Sequence, residues 1–242
     1  SMNGKGTGDK SQVSRTEETV GNDYNHTKSD FVVEKDHLID FPFTITAESM
    51  VSAALANNQV LAFPTETFYG LGGNALSKSV VERVYSIKQR SLNKPLPVLI
   101  TPEWLPRLCM WRDSRINDLM DAFWPGPLTL ILKANPELPH HLQNDNGSLA
   151  VRYSSSPATQ RLIELGNCPI IGTSANRAGM PECSSAKDVS NQFNNQVDLI
   201  IDGGELSVSQ ASTIVNCRSG TFKVLRQGAI SLTELNRICE IR

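Results

Sequence analysis

The sequence predicts an α/β (α+β) fold built on one mixed sheet. Short apolar runs, QVLAF (59–63), LPVLI (96–100) and PIIG (169–172), read as buried strands. Between them lie segments whose apolar residues recur at helical spacing. The two kinds alternate in an irregular order. With 242 residues, 39% hydrophobic and 20% charged, the chain is ordinary for a globular protein and long enough for a sizeable core.

Residues 1–36 are polar, with almost nothing apolar to bury, and are expected to form a disordered tail. Its opening Ser1-Met2 reads as an expression scar. Regular structure is expected from about residue 43, within a domain spanning 37–242 that no composition shift divides. TAESMVSAALANN places Ala47, Met50, Val51, Ala54 and Leu55 on one helical face, with Thr46 as N-cap. QVLAF follows as a strand and PTETFYGLGGNA as a loop. SKSVVERVYSIKQR turns Val80, Val81, Val84 and Ile87 to the core. LPVLI is a strand, SRINDLMDAFW a helix with Ile116, Leu119, Met120 and Phe123 inward, and PGPLTLILKA a turn and strand. SLAVRY is a strand, ATQRLIEL a helix, and PIIGTSAN a strand that ends in a polar loop. SAKDVSNQF is a helix, VDLIID, STIVNC and FKVLRQG are strands, and LTELNRIC is the closing helix.

Composition excludes some functions. A net charge of -2 and a pI near 6.1 argue against bulk electrostatic binding of nucleic acid, though not against a local basic groove. Five widely spaced cysteines without CxxC read as reduced thiols in a cytosolic protein, not as a disulfide frame or zinc site. No apolar run approaches the ~20 residues of a membrane helix. The four histidines form no ligand set, and no Ser-His-Asp order or HExxH motif is present.

Charge is nevertheless concentrated. SIKQRSLNK places Lys88, Arg90 and Lys94 within seven positions. The helix dipole accounts for cations at a helix C-terminus, but not for Lys94, which lies past the helix beside Pro95. Facing a triphosphate is the other account. FPTETFYG carries Thr65, Glu66 and Thr67, and GTSANRAG carries Thr173, Ser174 and Asn176, each directly after a strand. Such residues can bind a ligand or satisfy a turn. Thr129 and Arg152 sit on apolar strands. Arg152 there requires a carboxylate, from the protein or from a ligand.

Taken together, FPTETFYGLGGNA, IKQRSLNKPLPVLI, WPGPLTLIL, LAVRY, IIGTSAN, LIIDGG, ASTIV and VLRQGAI resemble, in order, the YrdC-like family of L-threonylcarbamoyl-AMP synthases. The resemblance implies a YrdC/RibB-like twisted mixed sheet with surrounding helices and a deep positively charged cavity. It implies a nucleotidyltransferase that makes threonylcarbamoyl-AMP and pyrophosphate from L-threonine, bicarbonate or CO2 and ATP with Mg2+. The product would feed t6A37 modification of tRNA through a separate transferase complex in the cytoplasm. Lys88, Arg90 and Lys94 would hold phosphates, and Lys88 and Arg90 would be catalytic. Ser174, Asn176 and Arg226 would join the nucleotide site. Thr65, Arg152 and Ser212 would hold threonine, and Thr129 would line the cavity.

The chain departs from the family at YSSSP after the AVR motif, at Asn216 and at Gln227. It ends soon after GAI, as in the single-domain branch. Other classes compatible with the residues are a YrdC-like module that binds double-stranded RNA or tRNA, and a paralogue of altered chemistry.

Overall fold

The computed structural model describes residues 37–92, 94–207 and 210–242, so the tail expected over 1–36 lies outside the described residues. Strand β1 (Leu38–Asp40) precedes α1 (Ile45–Ala56), β2 (Leu61–Pro64) and β3 (Tyr69–Gly72). Helix α2 (Lys78–Lys88) leads to β4 (Val98–Leu99), the short α3 (Leu105–Leu108) and β5 (Cys109–Met110). Next come α4 (Ser114–Phe123), β6 (Leu128–Ala134), β7 (Ser148–Arg152) and α5 (Pro157–Gly166). The chain continues through β8 (Ile170–Ile171), β9 (Thr173–Ser174), α6 (Ala186–Phe193) and β10 (Leu199–Asp202). It closes with β11 (Thr213–Asn216), β12 (Lys223–Arg226) and α7 (Leu232–Asn236).

The mixed α/β class holds, but the strands divide between two mixed sheets instead of gathering in one. The five-stranded sheet runs β1-β10-β2-β3-β9. The seven-stranded sheet runs β12-β11-β6-β7-β4-β8, with β5 against β6. Consecutive strands β8 and β9 belong to different sheets and are separated only by Gly172. Strands β2 and β4 are buried along their whole length. That is why both read as continuous apolar runs without alternation.

Helices form where apolar spacing and a cap coincide. Ser77 accepts from the Val80 N–H, Ser156 from Thr159 and Ser231 from Glu234, which closes a capping box. Helix α1 buries Val51, Ala54 and Leu55, while Met50 faces outward. Its cap is Thr44, not Thr46: the Thr44 hydroxyl accepts from the Ala47 N–H at 3.1 Å. Thr44→Ala is expected to cost about 1 kcal/mol, and Thr46→Ala much less. Urea denaturation of the two variants checks this, and equal costs would reject the cap.

Five elements escaped the sequence pattern: β1, β3, α3, β5 and β9. Strand β3 is the instructive one. YGLG contains two glycines, which strands ordinarily avoid, so the segment reads as a loop. A Cβ on Gly72 would stand 1.5 Å from the Ile171 carbonyl oxygen. Glycine is there because two backbones meet.

The cysteines among the described residues are free thiols, and Cys109, Cys168, Cys183 and Cys217 are buried. Burial pushes the Cys109 thiol up to about 12, which makes it a core residue and not a nucleophile. Among the described residues, no helix is long and apolar enough to cross a membrane.

Candidate active site

Register between strands assembles the site. Leu99 on β4 pairs with Arg152 on β7, Thr129 on β6 with Ile214 on β11, and Gly70 on β3 with Ser174 on β9. These pairings bring residues from distant segments around one cavity of about 160 Å³. Thr65, Arg90, Thr129, Arg152, Ser174, Ser212 and Arg226 all line it. Lys88, Lys94 and Asn176, also expected at the site, are not part of its wall.

Arg152 closes β7 with its side chain only 8% exposed. Its Nη2 lies 3.0 Å from Glu66 Oε1 and donates to Thr67 Oγ1 at 3.4 Å. The required carboxylate therefore comes first from the protein. Ser154 donates to the other Glu66 oxygen, so the unusual YSSSP segment supports the pair. Arg152 Nε is buried without a hydrogen-bond partner, which leaves donor capacity. Burial pulls the guanidinium below its ordinary value, and Glu66 opposes that.

A second cluster faces it. The Thr129 and Ser212 hydroxyls lie 2.8 Å apart. Arg226 donates through Nη2 to Ser212 Oγ at 2.9 Å and to the Ser212 carbonyl at 2.8 Å. This fixes the 211–213 segment across the cavity from β7. Burial lowers the Arg226 value most; the nearby Arg152 and Arg90 lower it further, and Glu182 acts the other way. Thr65 is committed locally: its hydroxyl donates to the Phe68 carbonyl at 2.6 Å and accepts from the Thr67 N–H.

The basic segment divides. Helix α2 ends at Lys88 because Gln89 adopts the left-handed region, φ 54°. Arg90 lies two residues beyond the helix, with its guanidinium turned to the loop that follows. Its guanidinium donates to the Pro95 carbonyl at 3.0 Å and faces the cavity. Lys94 is exposed beside that loop. Lys88 is only 3% exposed, and Nζ donates to the Ser174 carbonyl, to the Asn176 carbonyl at 2.8 Å and to Asn176 Oδ1 at 3.1 Å.

Ser154 and Glu182 near these clusters were missed as site residues, and Glu66, named only as a loop residue, was not joined to Arg152. That pairing could have been found, because the PTET loop holds a carboxylate and Arg152 needs one. Ser154 carries no sequence signal beyond its irregular motif. Glu182 reaches the cavity wall only through tertiary packing.

The family model described as telomere recombination, Sua5_yciO_yrdC, matches residues 53–228. The chain belongs to the Sua5/YciO/YrdC family.

Relatives in that family agree with the fold. Threonylcarbamoyl-AMP synthase of Pyrococcus abyssi (strain GE5 / Orsay) is 36% identical over 190 residues, covering 78% of this chain and 56% of the relative. The chain thus spans little more than half the length of that curated protein. Threonylcarbamoyl-AMP synthase of Klebsiella pneumoniae is 34% identical over 180 residues, covering 73% of this chain and 93% of that one. The crystal structure of P. abyssi Sua5 complexed with L-threonine superposes with a TM-score of 0.80 at 33% identity, over 85% of this chain and 61% of that one. In this Sua5/YciO/YrdC chain, three guanidinium groups converge from the α2–β4 loop, β7 and β12. Glu66 pairs with one of them, and Glu182 shares the cavity wall with all three.

Proposed function

We propose that the chain is an L-threonylcarbamoyladenylate synthase that uses L-threonine, bicarbonate or CO2 and ATP. One observation carries this reading: Arg90, Arg152 and Arg226 converge on a hydroxyl-lined cavity in whose wall Glu182 is the one carboxylate among the described residues. Such a site suits a carboxylate and a polyphosphate together. The names of the P. abyssi and K. pneumoniae relatives support the same activity.

In this proposal Arg152 holds the threonine carboxylate through donors that Glu66 and Thr67 leave free. Thr65 and Ser212 flank the amino acid, and Thr129 shapes the wall. Arg90 and Arg226 hold ATP phosphates, Ser174 presents its hydroxyl to the nucleotide, and exposed Lys94 reaches the outer phosphates. Threonine's amine adds to CO2 and loses a proton, giving a carbamate. A carbamate oxygen attacks the α-phosphorus of ATP, the bond to the bridging oxygen breaks, and pyrophosphate leaves. The arginines stabilise charge that grows on the phosphates, and the rest is positioning. No group of three or more His, Cys, Asp or Glu that could hold a metal ion occurs among the described residues. Mg2+ would arrive with ATP and would supply neutralisation of the phosphate charge beside Arg90 and Arg226. No step here is routed through it. The product would go to a transferase complex for t6A37 modification of tRNA in the cytoplasm.

Pyrophosphate release from ATP, Mg2+ and bicarbonate, with and without L-threonine, tests the proposal. Threonine-dependent release with threonylcarbamoyl-AMP seen by mass spectrometry is expected. Folded protein with no such release rejects it, and RNA binding with steep salt dependence would then favour the RNA-binding class. Arg90→Met is expected to lower kcat/KM for ATP by about 100-fold, with stability little changed. Unaltered kcat/KM would remove Arg90 from the phosphate site.

A further inference from the structure

Lys88 is buried beside the cavity, only 3% exposed, yet it does not line it. Its ammonium has three donors, and three acceptors of the 174–176 turn take them: the Ser174 carbonyl, the Asn176 carbonyl and Asn176 Oδ1. Asn176 is fully engaged as well. Its Oδ1 also accepts from Ser174 Oγ at 2.7 Å, and its Nδ2 donates to the Met180 carbonyl at 2.9 Å. The Ala178 N–H donates to the Lys88 carbonyl at 3.0 Å, which ties the same turn to the end of α2. Of these three side chains, only Ser174 meets the cavity.

We infer that Lys88 and Asn176 are positioning residues: they clamp the 174–178 turn so that Ser174 faces the ligand, and Lys88 itself does not hold phosphate. The consequence for turnover rests on the synthase reading; the clamp does not. Burial, reinforced by Arg90, pulls the Lys88 ammonium down to about 8, while Cys183 and Glu182 act the other way. Above that pH the neutral amine keeps two donors for three acceptors, so the turn loosens as pH rises.

The ligand-free wild-type protein provides the first test. The Lys88 side-chain nitrogen, followed by NMR, is expected to titrate near 8, and the Ala175 and Arg177 amide signals are expected to move with the same midpoint. Titration of Lys88 with no response of the Ala175 and Arg177 amides overturns the clamp, whatever its midpoint. Lys88→Met gives the second test, with inorganic tripolyphosphate as probe. Loss of amide protection at 174–178 in the free protein is expected. Unchanged protection together with tenfold weaker tripolyphosphate binding would make Lys88 a phosphate ligand instead. If the variant does not fold, the presence or absence of that coupled amide response in the wild-type protein decides. Absence of threonine-dependent turnover would sink the synthase reading while the free-protein readouts still judge the clamp.

Discussion

Arg152→Met is expected to abolish threonine-dependent pyrophosphate release and to weaken the fold by about 3–5 kcal/mol. The second effect follows from Glu66. Its side chain is 15% exposed and lies 3.0 Å from the guanidinium. Without Arg152 the carboxylate is left buried, with Ser154 as its remaining hydrogen-bond donor. Such a charge either pays desolvation or takes up a proton. Combining Arg152→Met with Glu66→Gln removes the stranded charge, so most of the lost stability is expected to return without any activity. Urea unfolding of the three proteins, beside the pyrophosphate assay, separates the two roles. A stable, inactive Arg152→Met would show that the ion pair contributes little to the fold. A destabilised variant that still turns over threonine would remove Arg152 from the substrate site.

Gly72→Ala is the second large effect. The added Cβ would meet the Ile171 carbonyl oxygen at 1.5 Å and its carbon at 2.4 Å, both backbone atoms that no rotamer can move aside. Strand β3 or β8 must shift, and a cost of about 3–5 kcal/mol is expected, at the upper end for one substitution. Under the proposed function, Gly72 would also matter to the site. Ile171 precedes Gly172, Thr173 and Ser174, which line the cavity, so a folded variant is expected to lose ATP affinity as well. Gly220→Ala is the control: nothing lies within 4 Å of its Cβ, and less than about 0.5 kcal/mol is expected. Similar denaturation midpoints for the two variants would mean that the sheets do not approach here as described.

Much of this architecture was legible beforehand. The buried strands β2 and β4 declared themselves as continuous apolar runs, and α2 and α4 as periodic ones. Gly72 hid β3, because its reason for being glycine is a neighbour about 100 residues away. The site was similarly divided. Arg152 announced its need for a partner by lying in an apolar strand, but Glu66 and an open donor on the same guanidinium are both answers, and the choice depends on coordinates. Lys88 and Arg90 looked like one cationic unit. A left-handed Gln89 between them sends one charge into the 174–176 turn and the other to the cavity.

By itself, then, the sequence determined the fold class, most elements and the set of residues from which the site is built. Those properties are local: a strand or a helix face is written within ten or so positions, and burial follows from apolar spacing. Only the tertiary structure decided that the strands form two sheets and that Arg90, Arg152 and Arg226 share one cavity with Ser174 and Ser212. It alone turned Lys88 and Asn176 away into a hydrogen-bonded turn. Strand register and the packing of one backbone on another set those choices, and both depend on residues far apart in the chain.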